Sequence, residues 1–345
     1  MAVKLGLSRP ALTEIARTLS ERGYIEEHGV GGNTRGQPKI NMRLRAHAAC
    51  VVGVFIQKDQ IRFLAVDITG EPLGEVAIKT TPEDPVAACD LIATRIDRLI
   101  RQHGIARKRL IAVGVAVTGF FVGDGDRIWP PAEMARWREF PLKSTLEKRL
   151  GLTVFLENDG NAAALAEHMK GAGQRFRSFL YVYLAYGVGG GFIHDGHIFT
   201  GAHGNACEIG RLVPPHPAIR PTLTSLALHL ERPVASITSA EISAWFAAGD
   251  TKLMQFLNEA VNALHPSLAS AVVLFDPEEI IIGGKFPPEV LRWIIDHLDA
   301  SHADTATIPL LPKPKIILTE VSQTEAGLWG AALLPLHEFM SPPVN

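Results

Sequence analysis

Residues 157–164, Glu-Asn-Asp-Gly-Asn-Ala-Ala-Ala, follow an apolar run at 152–156. The apolar run predicts a buried strand, and the polar residues that end it predict a turn into a helix. A carboxylate at the end of a buried strand can accept the proton of a substrate hydroxyl, so Asp159 is a candidate base and Asn158 a candidate partner for neighbouring hydroxyls. The same residues are equally typical of a strand-to-helix turn with a capping residue. Both interpretations stay open on these residues alone.

Upstream of this turn, apolar runs separated by polar turns predict an antiparallel meander of three strands, followed by a helix, a strand and a second helix. In chain order, these elements are predicted at 50–56, 61–66, 76–80, 85–103, 110–117 and 142–150. With the strand at 152–156, the order is βββαβαβ. This order predicts an α/β fold.

Downstream of the turn, a similar order of elements begins again. Strands are predicted at 179–184, 190–193 and 198–199, helices at 240–248 and 253–273, then strands at 279–282 and 315–318 and a last helix at 325–336. The chain therefore contains a rough internal duplication.

Composition and length narrow the classes of protein that the chain can represent. Its 345 residues exceed what one hydrophobic core usually supports, and 47% hydrophobic against 20% charged residues argues against intrinsic disorder. Three widely spaced cysteines form neither a disulfide framework nor a paired-cysteine zinc ribbon, which favours a reducing compartment. The N-terminus shows no secretion signal, and the apolar run at 110–123 is too short to span a bilayer. We therefore expect a cytoplasmic protein with no membrane contact.

Charge divides the chain into a basic head and an acidic body. Residues 1–46 contain eight Lys or Arg against four Glu, whereas the remaining residues contain 26 Lys or Arg against 32 Asp or Glu. Any contact with nucleic acid is thus expected from the head alone.

The head has the pattern of a short DNA-binding module. Ser8 and Pro10 are typical of a helix start, apolar residues at helical spacing predict a helix over about 9–22, and a basic glycine-rich hairpin follows. This arrangement resembles a winged helix-turn-helix, whose second helix enters the major groove. The resemblance implies contacts to double-stranded DNA from Ser8, Arg9, Thr13 and Arg17 on the helix, and from Arg35 and Lys39 on the wing.

A plainer interpretation of the head is a solvated amphipathic helix with a basic loop. Only residues 1–5 precede the turn at Gly6, so the module is short of the helices that normally support it. Either translation starts upstream of this sequence, or the head is a vestige that no longer docks on DNA.

Four ordered motifs in the body are similar to those of the ROK family of bacterial sugar kinases and sugar-responsive repressors. They lie at 157–164, 187–191 (Gly-Val-Gly-Gly-Gly), 201–210 (Gly-Ala-His-Gly-Asn-Ala-Cys-Glu-Ile-Gly) and 282–284 (Ile-Gly-Gly). The resemblance implies an actin-like ATPase fold (ribonuclease H-like) with two lobes. The expected units are the head at 1–46, a first lobe at 47–157 closed by a C-terminal helix at 325–337, and a second lobe at 158–324.

The resemblance also implies roles for particular residues. Sugar contacts are expected from Asn158, Asp159 and Glu208, with Gly119 lining the pocket. Weaker expectations are a phosphate contact at the turn that contains Gly187, Gly189 and Gly190, and an adenosine contact at Gly283 and Gly284. Glycines in a turn between buried strands are equally common in proteins that bind no phosphate.

Several departures from the family pattern argue against a kinase and against a metal. Arg211 stands in the place of a zinc-binding His, no cysteine follows Cys207, and residues 222–224 (Thr-Leu-Thr) replace a Cys-x-Glu, so no zinc is expected. In the first hairpin, Phe55 replaces a carboxylate and residues 56–58 (Ile-Gln-Lys) crowd the phosphate turn. Efficient use of Mg-ATP is therefore not expected, and no cofactor is predicted.

These observations together predict a ROK-type transcriptional regulator that binds an operator through its head and a sugar or sugar derivative through its body. A homodimer or homotetramer is expected, because operator half-sites follow the symmetry of the protein. Arg211 would favour an acidic or phosphorylated sugar, or else pair with Glu208. The alternatives are an ATP-dependent sugar kinase with Asp159 as base, and a degenerate protein with neither activity.

Overall fold

Two five-stranded sheets contain most of the buried apolar strand residues of the protein. The computed structural model describes residues 7–31, 39–213, 219–304, 313–321 and 325–340. The first sheet comprises β3 (Cys50–Ile56), β4 (Ile61–Asp67), β5 (Pro72–Ile78), β6 (Leu110–Val117) and β9 (Thr153–Asn158). Its strand order is β5-β4-β3-β6-β9, with β3–β4–β5 antiparallel and β6 and β9 parallel to β3. The predicted meander is confirmed, although β5 begins at Pro72 and not at residue 76.

The second sheet repeats this scheme. It comprises β10 (Ser178–Leu184), β11 (Val188–His194), β12 (His197–Ile198), β13 (Glu279–Gly284) and β14 (Lys315–Leu318). Its order is β12-β11-β10-β13-β14, with an antiparallel hairpin on one side and two parallel strands on the other. A small hairpin, β7 (Phe120–Val122) and β8 (Arg127–Trp129), follows β6. The duplication predicted from the sequence is therefore present in the sheets.

Helices cover both sheets. Two of them pack on the first sheet: α2 (Pro85–Gln102) and α3 (Leu142–Leu150). The apolar core against the second sheet includes residues from α5 (Leu223–His229), α6 (Ser239–Ala247), α7 (Thr251–Phe275) and α8 (Pro288–Asp304). The part of the chain that the structure describes contains no helix long and apolar enough to cross a membrane.

Two further helices, α4 (Asp159–Lys170) and α9 (Ala326–Met340), lie against each other and against the inner faces of the sheets. Their approach depends on glycine, because a Cβ on Gly330 would lie 1.8 Å from the carbonyl oxygen of Ala162. A Cβ on Gly53 or Gly114 would likewise meet the backbone of α9. Backbone therefore packs on backbone at the junction between the two lobes, and α4 starts at a fixed place.

The head contains α1 (Arg9–Glu21), β1 (Ile25–Gly31) and β2 (Lys39–Leu44), with the two strands paired antiparallel. Ser8 caps α1 by accepting a hydrogen bond from the Ala11 amide. No residue of α1 is buried, and Ile15 and Leu19 on its apolar side are 45% and 37% exposed. Arg35 lies outside the described residues, and Lys39 is described only as part of β2.

We expect Gly330→Ala to destabilise the protein by more than 1 kcal/mol, because the new methyl group overlaps the backbone of α4, which cannot move alone. Gly187→Ala is the control, because no heavy atom lies within 4 Å of the place of its added methyl group. Urea unfolding followed by circular dichroism measures both. Equal stability of the two variants would contradict the proposed backbone contact.

Candidate ligand-binding site

The carboxyl ends of two neighbouring parallel strands bring Asp159 and Thr118 together. Val117 of β6 pairs with Asn158 of β9, so the residues that follow the two strands meet at one edge of the sheet. The Thr118 hydroxyl donates a hydrogen bond to Asp159 Oδ2 at 2.6 Å. Burial raises the pKa of Asp159, and the Thr118 hydrogen bond opposes this shift. Asp159 is therefore a desolvated carboxyl held in one orientation.

Asn158 has the capping role that the plainer interpretation of this turn predicted. Its Oδ1 accepts from the Gly160 amide at 2.7 Å, and its Nδ2 donates to the Gly119 carbonyl at 2.8 Å. Gly119 has φ +148°, and a Cβ there would lie 2.9 Å from the Trp129 carbonyl oxygen. Asn158 thus fixes the start of α4 and the loop after β6, while both residues still line the cavity described next.

A cavity of 580 Å³ opens beside Asp159. Its volume is within the range of sites for small ligands. The first lobe contributes the turn after β3, the loop after β6, and the segment that follows β8. The second lobe contributes the start of α4, the turn between β10 and β11, the 201–211 loop, and the residue after β13. The ionisable groups that line the cavity are Lys58, Glu133, Arg138, Asp159, Tyr183, Tyr186, Glu208, Arg211 and Lys285.

Glu208 lies in this cavity at the end of a loop that is tied to the first lobe. Asn205 accepts from the Phe121 amide at 2.7 Å and donates to the Phe121 carbonyl at 2.9 Å. Burial and the nearby Asp159 raise the pKa of Glu208 to about 7, and Arg211 opposes the shift. The cavity therefore contains two carboxyl groups that disfavour each other's ionisation.

Arg211 does not form the ion pair with Glu208 that was weighed from the sequence. Its guanidinium carbon lies 4.3 Å from the centroid of the Phe120 ring, and within the described residues the pair with Glu208 is absent. The contact with the ring has a physical reason. A guanidinium is weakly hydrated and binds an aromatic face, whereas an ion pair with Glu208 would also remove water from the carboxylate.

The glycines of the two expected nucleotide motifs differ in their surroundings. Gly187 and Gly189 line the cavity, with no heavy atom closer than 3.8 Å to the place of an added Cβ. Gly190 belongs to β11 and packs beneath Ile209, so the expected tight turn is confined to the residues before Val188.

Gly283 and Gly284 end β13 and are packed against β10. An added Cβ on Gly283 would meet the Tyr181 hydroxyl at 2.2 Å, and one on Gly284 would meet the Leu184 carbonyl oxygen at 1.9 Å. Their lack of a side chain is thus explained by sheet packing. Neither residue lines the cavity among the described residues, although the next residue, Lys285, does.

The residues that departed from the family pattern have other roles in the structure. Phe55 is buried against α9, and Asp59 is exposed at the tip of the β3–β4 turn. Thr222 caps α5, and Thr224 donates to the Tyr186 carbonyl. In the described part of the chain, no three His, Cys, Asp or Glu side chains are arranged to hold a metal. The residues around buried Cys207 therefore do not fit the zinc site that the family pattern implies.

Sequence reasoning missed Lys285, Tyr186 and Thr118. Lys285 follows β13, and Tyr186 follows the neighbouring parallel strand β10, so both stand at a sheet edge where ligands commonly bind. The position of each residue directly after an apolar strand could be read from the sequence. That these strand ends lie side by side depends on which strands pair, which the sequence did not show.

Ser8, Arg9, Thr13 and Arg17, which were expected to face DNA, are exposed at the start of α1 or along it, but most of these four side chains are engaged locally. The Thr13 hydroxyl donates to the Arg9 carbonyl, and Arg17 forms ion pairs with Glu14 and Glu21 at 2.6 and 2.7 Å. Arg9 is exposed at the first turn of the helix.

The raised pKa of Glu208 predicts a pH-dependent effect of removing its charge. The stability that the protonated carboxyl contributes is complete below about pH 4.5 and is lost as the pH rises through about 7. We therefore expect Glu208→Gln to raise the free energy of unfolding more at pH 8 than at pH 5. The difference between the two effects should be on the order of 1 kcal/mol after solvent screening.

Urea unfolding of wild type and variant at both pH values measures this difference. Glu83→Gln, which changes an exposed carboxylate on the first lobe, is the control and should behave alike at the two pH values. An equal effect of Glu208→Gln at pH 5 and pH 8 would show that Glu208 titrates as an ordinary surface group.

Known proteins are similar to this chain in sequence and in fold. The model of the ROK family matches residues 51–220. A beta-glucoside kinase of Listeria innocua is 30% identical over 290 residues, which is 77% of this chain and 92% of the kinase. The xylose repressor of Bacillus subtilis is 26% identical over 207 residues, which is 60% of this chain and 53% of the repressor.

Among solved structures, a ROK family transcriptional regulator described as a homolog of the E. coli MLC protein has the same fold. Its TM-score is 0.78 at 20% identity, and the match covers 98% of this chain and 91% of that one. Regulators and sugar kinases thus occur together among the similar proteins. On the family match and on the kinase relative, which is matched over nearly its whole length, the chain belongs to the ROK family.

Proposed function

We propose that the protein is a sugar-responsive transcriptional regulator, whose head binds an operator and whose inter-lobe cavity binds a sugar or sugar derivative. The observation that supports this most is the head itself. A capped helix and a two-stranded hairpin precede the family match, which begins at residue 51. The kinase relative covers 77% of this chain, whereas the fold of the regulator structure extends over 98% of it.

The cavity supports the sugar part of the proposal. Asp159 and Glu208 offer carboxyl oxygens that accept hydrogen bonds from hydroxyl groups, and Trp129 lines the same cavity with Arg138 stacked on its ring. Both lobes line the cavity, so a ligand that touches both stabilises the closed arrangement. In the proposed mechanism, this closure changes the relative position of two heads in a homodimer or homotetramer and so changes the affinity for DNA.

A sugar kinase is the second candidate, and the Asp159–Thr118 hydrogen bond favours it. A half-buried carboxyl at the end of a strand, facing a cavity, is positioned as a base for a substrate hydroxyl. The first hairpin opposes it, because the side chain of Phe55 is buried in the core where the family pattern has a carboxylate.

We expect the full chain to bind a fragment of its own promoter in preference to random DNA, with an affinity that falls as salt rises. Arg9→Ala should weaken this binding several-fold and reduce the slope of log affinity against log salt by about 1, because one phosphate contact is lost. Arg98→Ala, an exposed arginine on α2, is the matched control. Fluorescence anisotropy measures the DNA affinity of the wild type and both variants. Equal weakening by the two substitutions would show that the head does not contact the DNA.

We expect no sugar-dependent formation of ADP from Mg-ATP, because position 55 of β3 holds a buried phenylalanine in place of a carboxylate. A coupled assay with glucose and xylose checks this result. Turnover that is present in the wild type and lost in Asp159→Asn would contradict the regulator proposal and support the sugar kinase. The Asp159→Asn chain should retain DNA binding without sugar, since Asp159 lies in the body.

A further inference from the structure

Two arginines stack on neighbouring aromatic rings in the wall of the cavity. Phe120 and Trp129 are direct partners in the antiparallel hairpin of β7 and β8, so their side chains lie on the same face of the hairpin. The guanidinium carbon of Arg211 lies 4.3 Å from the centroid of the Phe120 ring, and that of Arg138 lies 4.8 Å from the centroid of the Trp129 ring. All four residues line the cavity. One wall of the cavity therefore carries two guanidinium groups over adjacent rings.

These guanidinium groups lack an acidic partner. Within the ranges that the structure describes, neither Arg138 nor Arg211 forms an ion pair within 4.0 Å or donates a side-chain hydrogen bond to a protein acceptor. Glu133 and Glu208 line the same cavity but lie beyond this distance from both arginines. A ring covers a face of a guanidinium, whereas the N–H donors point outward in the plane of the group. The donors are therefore available to an anionic ligand.

Arg211 lies close to the groups that are proposed to bind hydroxyls. A single 3-10 turn, Ile209–Arg211, directly follows Glu208, so both side chains belong to the same short segment. The positive charge of Arg211 lowers the pKa of Glu208, and the negative charge of Asp159 raises it. The three side chains are thus near enough to influence one another. A ligand of monosaccharide size can contact all of them at once, since the cavity has 580 Å³.

The charges around the arginines favour a carboxylate over a phosphate. A carboxylate has two oxygens in one plane, which match the planar fork of a guanidinium in a bidentate hydrogen bond. A phosphate ester carries up to two negative charges. Glu133, Asp159 and Glu208 line the same cavity and would repel the second charge. The single charge of a carboxylate avoids this additional repulsion.

We propose that the effector is an acidic monosaccharide of the uronic acid type, whose hydroxyl groups bind at Asp159 and Glu208 and whose carboxylate binds at Arg138 and Arg211. The inference rests on the proposed function, because it names the ligand class of the same cavity. Arg138 belongs to the first lobe and Arg211 to the second. The carboxylate therefore joins the two lobes, and a neutral sugar lacks this contact.

The first measurement is calorimetric titration of the full chain with glucuronate, glucuronamide and glucose, and with galacturonate and galactose. At least one uronate should bind about 10- to 100-fold more tightly than its neutral parent, because hydrogen bonds between charged groups are the stronger ones. Glucuronamide has the shape of glucuronate without the charge, so it should bind like glucose. Uronates that fail to bind, or that bind no more tightly than the neutral sugars and the amide, would overturn the inference.

The second measurement repeats the titrations with single substitutions of the arginines. Arg138→Met and Arg211→Met should each abolish most of the preference for the uronate, while circular dichroism shows that both variants are folded. Arg136→Met is the matched control, because Arg136 is an exposed arginine two residues from Arg138 and is not among the lining residues. A preference that survives both cavity substitutions, or that is equally lost in Arg136→Met, would contradict the assigned contacts.

Glucose 6-phosphate separates a carboxylate ligand from a phosphate ligand. Tighter arginine-dependent binding of this ester than of either uronate would overturn the proposal in favour of a phosphate. The inference and the proposed function fail in different ways. Neutral sugars that bind through Asp159 with no gain from a carboxylate would overturn the inference and leave the regulator intact. Lack of binding by every sugar and uronate, together with no preference for the promoter fragment, would overturn the proposed function as well.

Discussion

The contact between the backbones of α4 and α9 is the constraint on which the site depends. Gly330 allows α9 to reach the carbonyl of Ala162, and α4 in turn lies against β11 because Gly191 has no side chain in the way of Ala164. Such a junction has no flexible side chains that could absorb a shift. The first turn of α4 is thereby held between the two sheets, which places Asp159 at the edge of both lobes.

Pairing of parallel strands then converts this fixed junction into a site. Each lobe contributes residues that follow the carboxyl ends of its central strands, and these ends face a common cavity. Thr118 and Asp159 come from one pair of strands, and Tyr186 and Lys285 come from the other. The internal duplication of the chain therefore supplies two similar edges, and the ligand-binding groups differ because the residues after the strands differ.

The sequence predicted buried elements well and long-range neighbours poorly. The predicted ends of β6 and α3 agree with the structure, because these elements carry continuous or periodic apolar residues. The edge strand β5 has an exposed or half-exposed pattern, so its apolar signal was weak and its start was misplaced. The role of Lys285 could not be read locally, since its contact with Tyr186 depends on strands about a hundred residues apart in sequence. For the same reason, the sheet packing of Gly283 and Gly284 could not be read from the sequence, which predicted an adenosine contact at these residues.

The exposed apolar side of α1 has a thermodynamic consequence. A helix with no buried residue gains little from tertiary packing, and a helix of 13 residues is marginal in water by itself. Its amide protons should therefore exchange with solvent through local opening, at a free energy far below that of the body. Unfolding of the whole chain is then not a single cooperative event, because the head opens before the body does.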